Sequence, residues 1–233
     1  MNKTEFKQHI KSIFPFVSDK FFDKIETYKK FLQEENKKIN LTNLSDDEKI
    51  YAQYFYESIV PYKELDFNHI NSVLDIGSGS GIPGILLKLL FNHTNLTIVE
   101  SNNKKVNFLN QLINTLDIKV NIINKRAENI DNQMRETFDL VTSRAVAPLK
   151  IILELSVPYA KVNGLIVEPK SLNFEKELQE ANFITNKLNI KLQLPMIHFI
   201  SINKMTHNVL VYKKIKSTNH LYPRQWNQII KDK

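Results

Sequence analysis

The stretch Val73-Leu74-Asp75-Ile76-Gly77-Ser78-Gly79-Ser80-Gly81 constrains the fold more than any other part of the chain. Val73, Leu74 and Ile76 read as a short buried strand, with Asp75 near its end. Gly77, Gly79 and Gly81 follow at every second position, in a chain of 233 residues with only 5 glycines. That concentration answers a local backbone demand. Glycine turns the chain at positive φ and lets a ligand lie against bare backbone. A strand, a glycine turn and a helix form the entry to a nucleotide-like cofactor site in an α/β sheet.

Two frames compete for this loop. Gly79-Ser80-Gly81-Ile82-Pro83-Gly84 fits the dinucleotide pattern G-x-G-x-x-G, with Glu100 lying roughly 20 residues further on. That frame leaves Asp75 and Gly77 unexplained and pushes the strand into the glycines. The frame Asp-x-Gly-x-Gly-x-Gly uses every residue and places an acid where it can reach the ammonium of an amino-acid moiety. This is the pattern of S-adenosylmethionine sites, with NAD as the alternative cofactor and a purely structural turn as the bland one.

The length suits one α/β domain with an extension. No run of about 18 apolar residues suggests a membrane span. The N-terminal residues, with Lys3, Glu5, Lys7 and Lys11, lack a signal-peptide apolar region, so a cytoplasmic protein is expected. The chain has no cysteine, which excludes disulfides, thiolate zinc sites and the cysteine-dependent methylation of pyrimidine carbon 5. The six histidines show no metal-ligand spacing, and no metal is expected. Residues 203–233 carry seven basic side chains (Lys204, Lys213, Lys214, Lys216, Arg224, Lys231, Lys233) against one acid, Asp232, so nearly all of the net +7 lies there. Such an end attracts polyanions, and Tyr222 and Trp226 among these charges could stack on bases.

Residues 1–65 read as a helical extension. Phe6, Ile10, Ile13 and Phe14 form one apolar stripe, and Phe21, Ile25, Tyr28 and Leu32 another. Ser45 with Glu48 predicts a capping box opening a helix through Ile50, Tyr54, Phe55 and Ile59, stopped by Pro61. Residues 66–216 alternate strands (72–76, 95–99, 119–123, 138–142, 163–168) with helices (82–91, 103–116, 129–135, 148–157, 173–188). This order predicts a doubly wound, mostly parallel sheet. Segments 190–201 and 208–215, joined by a short polar connection, read as a hairpin that ends the sheet with one antiparallel strand. Residues 217–233 read as a basic tail, and truncation after Tyr212 is expected to weaken RNA binding while leaving donor binding nearly intact.

Ligands of such sheets bind beyond the carboxyl ends of the strands. Glu100 ends the second strand, where a carboxylate can accept both hydroxyls of a ribose. Ala127-Glu128 follows the third, and a small residue there lets an adenine lie against backbone. Arg144, in Ser143-Arg144-Ala145 after the fourth strand, can hold a carboxylate or phosphate bidentately. Lys170 occupies the same position after the fifth. Each of these also has an ordinary reading, as a strand-end acid, a polar loop or a surface ion pair.

Taken together, the residues resemble the bacterial small-subunit ribosomal RNA methyltransferase G family, also called glucose-inhibited division protein B. The resemblance runs from about residue 25 to 224. It rests on Ile39-Asn40-Leu41-Thr42, Glu57-Ser58-Ile59, the Asp75–Pro83 loop, Arg126-Ala127-Glu128, Ser143-Arg144-Ala145-Val146-Ala147 and Tyr222-Pro223-Arg224. It implies a fold of the class I S-adenosylmethionine-dependent methyltransferase type and methylation of nitrogen 7 of one guanine. It also implies donor contacts from Gly77, Ile82, Ala127, Glu128 and Arg144. Asp75, Gly79 and Glu100 complete the expected donor site, and Arg144, Lys170 and Arg224 are expected at the RNA. The implied partner is small-subunit ribosomal RNA, within the subunit or an assembly intermediate, with the enzyme a monomer. Methylation of another RNA and NAD-dependent oxidoreduction are the alternatives. The chain departs from the family at Tyr54 and Glu57, where His and Asp are usual. It departs again at Ser171, where Gly is usual, and at His207, where Arg is usual. None of these is expected to touch the glycine loop.

Overall fold

A computed structural model describes residues 1–43, 46–170, 174–194, 197–200 and 206–231, with the backbone alone at 197–200 and 206. Eight strands form one sheet: β1 (Ser72–Ile76), β2 (Asn95–Val99), β3 (Asn121–Ile123), β4 (Phe138–Ser143), β5 (Ala160–Lys170), β6 (Ile190–Leu192), β7 (Ile197–Ile200) and β8 (Thr206–Lys214). Their order is β3-β2-β1-β4-β5-β8-β6, with β7 also paired to β8. The first five are mutually parallel. The strand order reverses between β1 and β4, which is where a doubly wound sheet opens its ligand crevice.

The far end of the sheet is more elaborate than one antiparallel strand. β8 runs antiparallel to β5 on one side, and β6 and β7 share its other side, against Tyr212–Lys214 and Thr206–Val209 respectively. The expected 190–201 segment is therefore two short strands. Helices Gly84–Leu90, Asn103–Thr115, Leu149–Ser156 and Phe174–Lys187 lie near their expected places. The helix expected at 129–135 is absent. Two single 3-10 turns, Ala127–Asn129 and Asn132–Met134, stand there instead, separated by extended backbone at Ile130 and Asp131. Asn129, Asp131 and Asn132 compete with their own backbone for hydrogen bonds and disfavour a continuous helix.

Alternate strand residues feed two cores, one on each sheet face. In β8, Val209 and Val211 join one cluster while Leu210 and Tyr212 join the other. The first cluster includes Phe6, Ile10, Phe21, Ile25, Tyr28, Leu32 and Phe55, so the N-terminal helices Lys3–Ile13 and Asp19–Ile39 cover that face. The second cluster takes in Ile229 and, at its margin, Tyr222 and Trp226.

Residues 47–62 are continuously helical, but Ile50–Tyr56 is wound wider, in the π form. Ser45 lies outside the described residues. Asp46 caps this run, its carboxylate accepting from the Lys49 N–H at 3.0 Å. Pro61 does not stop the helix before it; it sits in the closing 3-10 turn, Val60–Tyr62, at a first-turn position where its missing N–H costs little. Among the described residues no helix is long and apolar enough to cross a membrane.

Candidate active site

The loop after β1 is shaped by three left-handed glycines, with φ of 68°, 62° and 101° at Gly77, Gly79 and Gly81. Two of them also lack room for a side chain. A Cβ on Gly77 would lie 2.7 Å from Val146, and one on Gly81 2.7 Å from the Tyr28 hydroxyl. Gly84 is excluded from carrying a side chain for another reason: its Cβ would meet the Asp75 carboxylate at 2.6 Å. Glycine at 79, 81 and 84 therefore reflects packing and turn geometry, and the dinucleotide frame gains nothing from it.

Asp75 does not reach outward. It is fully buried, and its Oδ2 accepts from the Ser78 hydroxyl and from the Gly84 N–H at 2.8 Å. Burial raises its pKa to about 7, against the pull of those two hydrogen bonds. The expected ammonium contact gives way to a structural role, in which Asp75 closes the loop onto the first turn of the following helix. Its Oδ1 has no partner among the described residues.

Glu100, at the end of β2, is buried and ties the loop from the other side. Its Oε2 accepts from the Gly79 N–H at 3.0 Å and its Oε1 from the Asn102 N–H at 2.9 Å. Each carboxylate oxygen keeps a further lone pair. A crevice of about 190 Å³ opens beside it, lined by Gly77, Glu100, Ala127, Glu128, Val146 and Trp226 among others. Ala127 is buried, its carbonyl accepting from the Tyr159 hydroxyl at 2.8 Å. Glu128 pairs with Arg126 at 2.7 Å.

These residues fit an adenosyl donor. Bare backbone at Gly77, apolar Ile76 and Val99, and two carboxylates able to accept hydroxyl protons line one cavity. Gly79 has no side-chain or backbone atom nearer than 3.9 Å to where its Cβ would be, so its backbone stands clear. Of the expected donor residues, Gly77, Glu100, Ala127 and Glu128 meet in the crevice. Asp75 and Gly79 build its loop, and Ile82 does not line it, packing instead at the edge of the first core.

Arg144 stands in an adjoining cleft of about 660 Å³, lined also by Glu57, Lys170, Lys176, Glu177 and His207. Val146 and Ala147 line both cavities. The chain reaches them through Ala145, a non-glycine residue at φ 56° that turns it sharply away from β4. The Arg144 guanidinium donates to the Ser58 hydroxyl and to the Gln53 carbonyl (3.0 Å), so the helical extension fixes it. Burial lowers its pKa. The Glu57 carboxylate makes no hydrogen bond among the described residues, and burial raises its pKa while Arg144 opposes the shift. Lys170 pairs with Glu177 at 2.9 Å and donates to the Ala147 carbonyl.

Several roles differ from expectation. Tyr54 does touch the glycine loop, since its hydroxyl donates to Ser80, as does that of Tyr28. Burial pushes the Tyr54 phenol up to about 12, so it remains a donor. Arg224, expected at the RNA, grips Glu154 through Nε (2.8 Å) and Nη2 (2.7 Å), and Glu154 is almost wholly enclosed. Lys214, counted with the basic end, is fully buried and pairs with Glu136 at 2.8 Å. Ser171 lies outside the described residues.

The reversed strand order, the glycine loop after β1 and the carboxylate after β2 define a class I S-adenosylmethionine-dependent methyltransferase. Solved structures share this fold at low identity. The StiE O-MT (residues 942–1257) superposes with a TM-score of 0.58 at 14% identity, over 82% of this chain and 90% of that one. Ribosomal protein L11 methylase from Lactobacillus delbrueckii subsp. bulgaricus does so at 0.52 and 12%, over 74% and 81%. The family pattern of rRNA small subunit methyltransferase G (GidB) matches residues 22–205, and the chain belongs to that family. It is similar to the proteins of that name from Malacoplasma penetrans (46% identity over 99% of this chain and 98% of that protein) and Bacillus subtilis (35%, over 97% and 95%).

Proposed function

We propose that the protein transfers a methyl group from S-adenosylmethionine to nitrogen 7 of a guanine in 16S ribosomal RNA. The observation that carries this reading is the meeting of the donor crevice and the larger cleft at Val146 and Ala147. A donor held along Glu100 and Gly77 would end beside a cavity large enough for an extruded base. When bound, the donor supplies an electrophilic sulfonium methyl.

Guanine nitrogen 7 carries an in-plane lone pair and no proton, so the acceptor needs no general base. The residues' work is alignment and exclusion of water. The Glu57 carboxylate, with no hydrogen-bond partner among the described residues, belongs to a residue that lines the cleft, placed to offset the positive charge the methylated base acquires. Arg144 uses two of its nitrogens on Ser58 and Gln53, and its remaining N–H groups suit a carboxylate or a phosphate. Lys170 stands at the same mouth.

The RNA is taken within the ribosomal subunit or an assembly intermediate, in the cytoplasm. A monomer is taken as the working unit. The test offers radiolabelled S-adenosylmethionine with small ribosomal subunits in one arm and protein-free 16S RNA in the other. Label is then mapped by cleavage specific to 7-methylguanosine. Label at one guanine is expected. Label resistant to that cleavage, or carried on protein, would overturn the reading.

A further inference from the structure

We propose that Trp226 is a donor-binding residue, forming the aromatic wall of the crevice against which the purine of S-adenosylmethionine packs. The proposal rests on the assignment of that crevice to the donor. Among the described residues, Trp226 is the one aromatic side chain that lines it, together with Lys125, Arg126, Ala127 and Glu128. Ile76, Val99 and Leu155 line the same cavity from the sheet and its helices. A flat apolar solute there is offered aliphatic surface and one indole.

The indole is held in place from several directions. The Arg126 guanidinium lies 4.7 Å from its ring centroid, and the Nε of the same Arg126 donates to Glu128 at 2.7 Å. Arg126 thus couples a carboxylate of the crevice to the indole. Two residues before Trp226, the Arg224 backbone N–H and its side chain both bond to buried Glu154. Three residues after it, Ile229 is buried in the second core. The short helix Trp226–Ile229 is closed by reciprocal capping between Gln225 and Gln228. An indole fixed this firmly at the margin of the second core, yet left only partly buried at a cavity wall, is preorganised for a ligand.

The chain contains a single tryptophan, so its emission reports on this position alone. S-adenosylhomocysteine is titrated into the full-length protein, with tryptophan emission followed in parallel with calorimetry. A saturable change in emission at the calorimetric Kd is expected. Trp226→Ala should weaken binding about 5- to 100-fold, the range for loss of one stacked base, while Trp226→Phe retains most of the affinity. The exposed Phe183→Ala serves as a control and should bind as the parent does. Calorimetric binding with unchanged emission, together with Trp226→Ala binding like the parent, would overturn the proposal and leave the donor site standing. Absence of calorimetric binding in the parent would overturn the donor assignment, and this proposal with it.

Discussion

Tyr28 and Ser80 lie 52 residues apart, and the Tyr28 hydroxyl donates to the Ser80 carbonyl inside the glycine loop. Tyr54 reaches the same residue, bonding both its carbonyl and its hydroxyl. The helical extension therefore grips the donor loop from behind, and its integrity and donor affinity are one problem.

Each tyrosine backs up the other at the Ser80 carbonyl. Tyr28→Phe should cost only about 1 kcal/mol of stability, since Tyr54 still donates there. The double change Tyr28→Phe/Tyr54→Phe strands a buried carbonyl and should cost more than the two single changes summed. Urea unfolding of the four proteins reads the coupling, and S-adenosylhomocysteine calorimetry should show the double variant binding most weakly. Strict additivity in both measurements would refute the shared grip.

Asp75 gives stability a pH dependence of unusual sign for a carboxylate. Its folded pKa, about 7, lies above the ordinary carboxylate value, so the native state holds a proton that the unfolded chain has lost. Glu168, raised by burial to about 8, acts in the same direction. Their contribution is complete below about pH 4 and is lost as pH rises through about 7 to 8. The carboxyls held low, Glu136 and Asp139, act in the opposite sense at more acid pH. Melting temperature should fall between about pH 5 and pH 8, and fall less in Asp75→Asn. A parent protein that stabilises across that interval would contradict the assignment.

Arg144 is held through two nitrogens by partners on the extension, a geometry that a lysine ammonium does not reproduce. Arg144→Lys should lower the methylation rate about tenfold or more, the scale of a misplaced positioning group, with calorimetric donor affinity changed much less. Lys170→Ala should show a milder loss, and the double variant should be the least active. Normal turnover by the double variant would remove both residues from the active-site mouth.

The Arg224–Glu154 pair joins the C-terminal segment to the helix after β4. Glu154 is nearly solvent-free, so Arg224→Met leaves a buried carboxylate without its cation and should cost about 3 kcal/mol. Adding Glu154→Gln should recover part of that loss. Thermal unfolding of the parent and both variants provides the check, and an additive further loss in the double variant would contradict the pairing.

Much of the architecture was legible because periodicity reports burial. The alternation from Ser72 onward placed β1, β2 and β4 within a residue of their observed ends, and Glu100 stood at its strand end as expected. What periodicity does not report is where a polar tip goes. Tyr28 and Tyr54 read as core, which they are, but a buried phenol must also find a partner, and that requirement was the available signal. A linear charge count treated Lys214 and Arg224 as surface, whereas their partners lie 57 and 70 residues away, at the Val157 carbonyl and Glu154. The inward turn of Asp75 depends on the Gly84 N–H, nine residues on, which strand-end position alone does not reveal.

The placement of β8 has a further consequence, for the order in which the molecule can be assembled. Among the described strands it comes last in the chain, yet it lies inside the sheet, with β5 on one side and β6 and β7 on the other. During vectorial synthesis β5 must wait with an open edge, and β6 and β7 wait for a template, until Lys214 has been made. The parallel half, β1 to β5, can form first. Completion of the opposite edge, and of the donor crevice wall beyond it, must follow the synthesis of β8 and of Trp226.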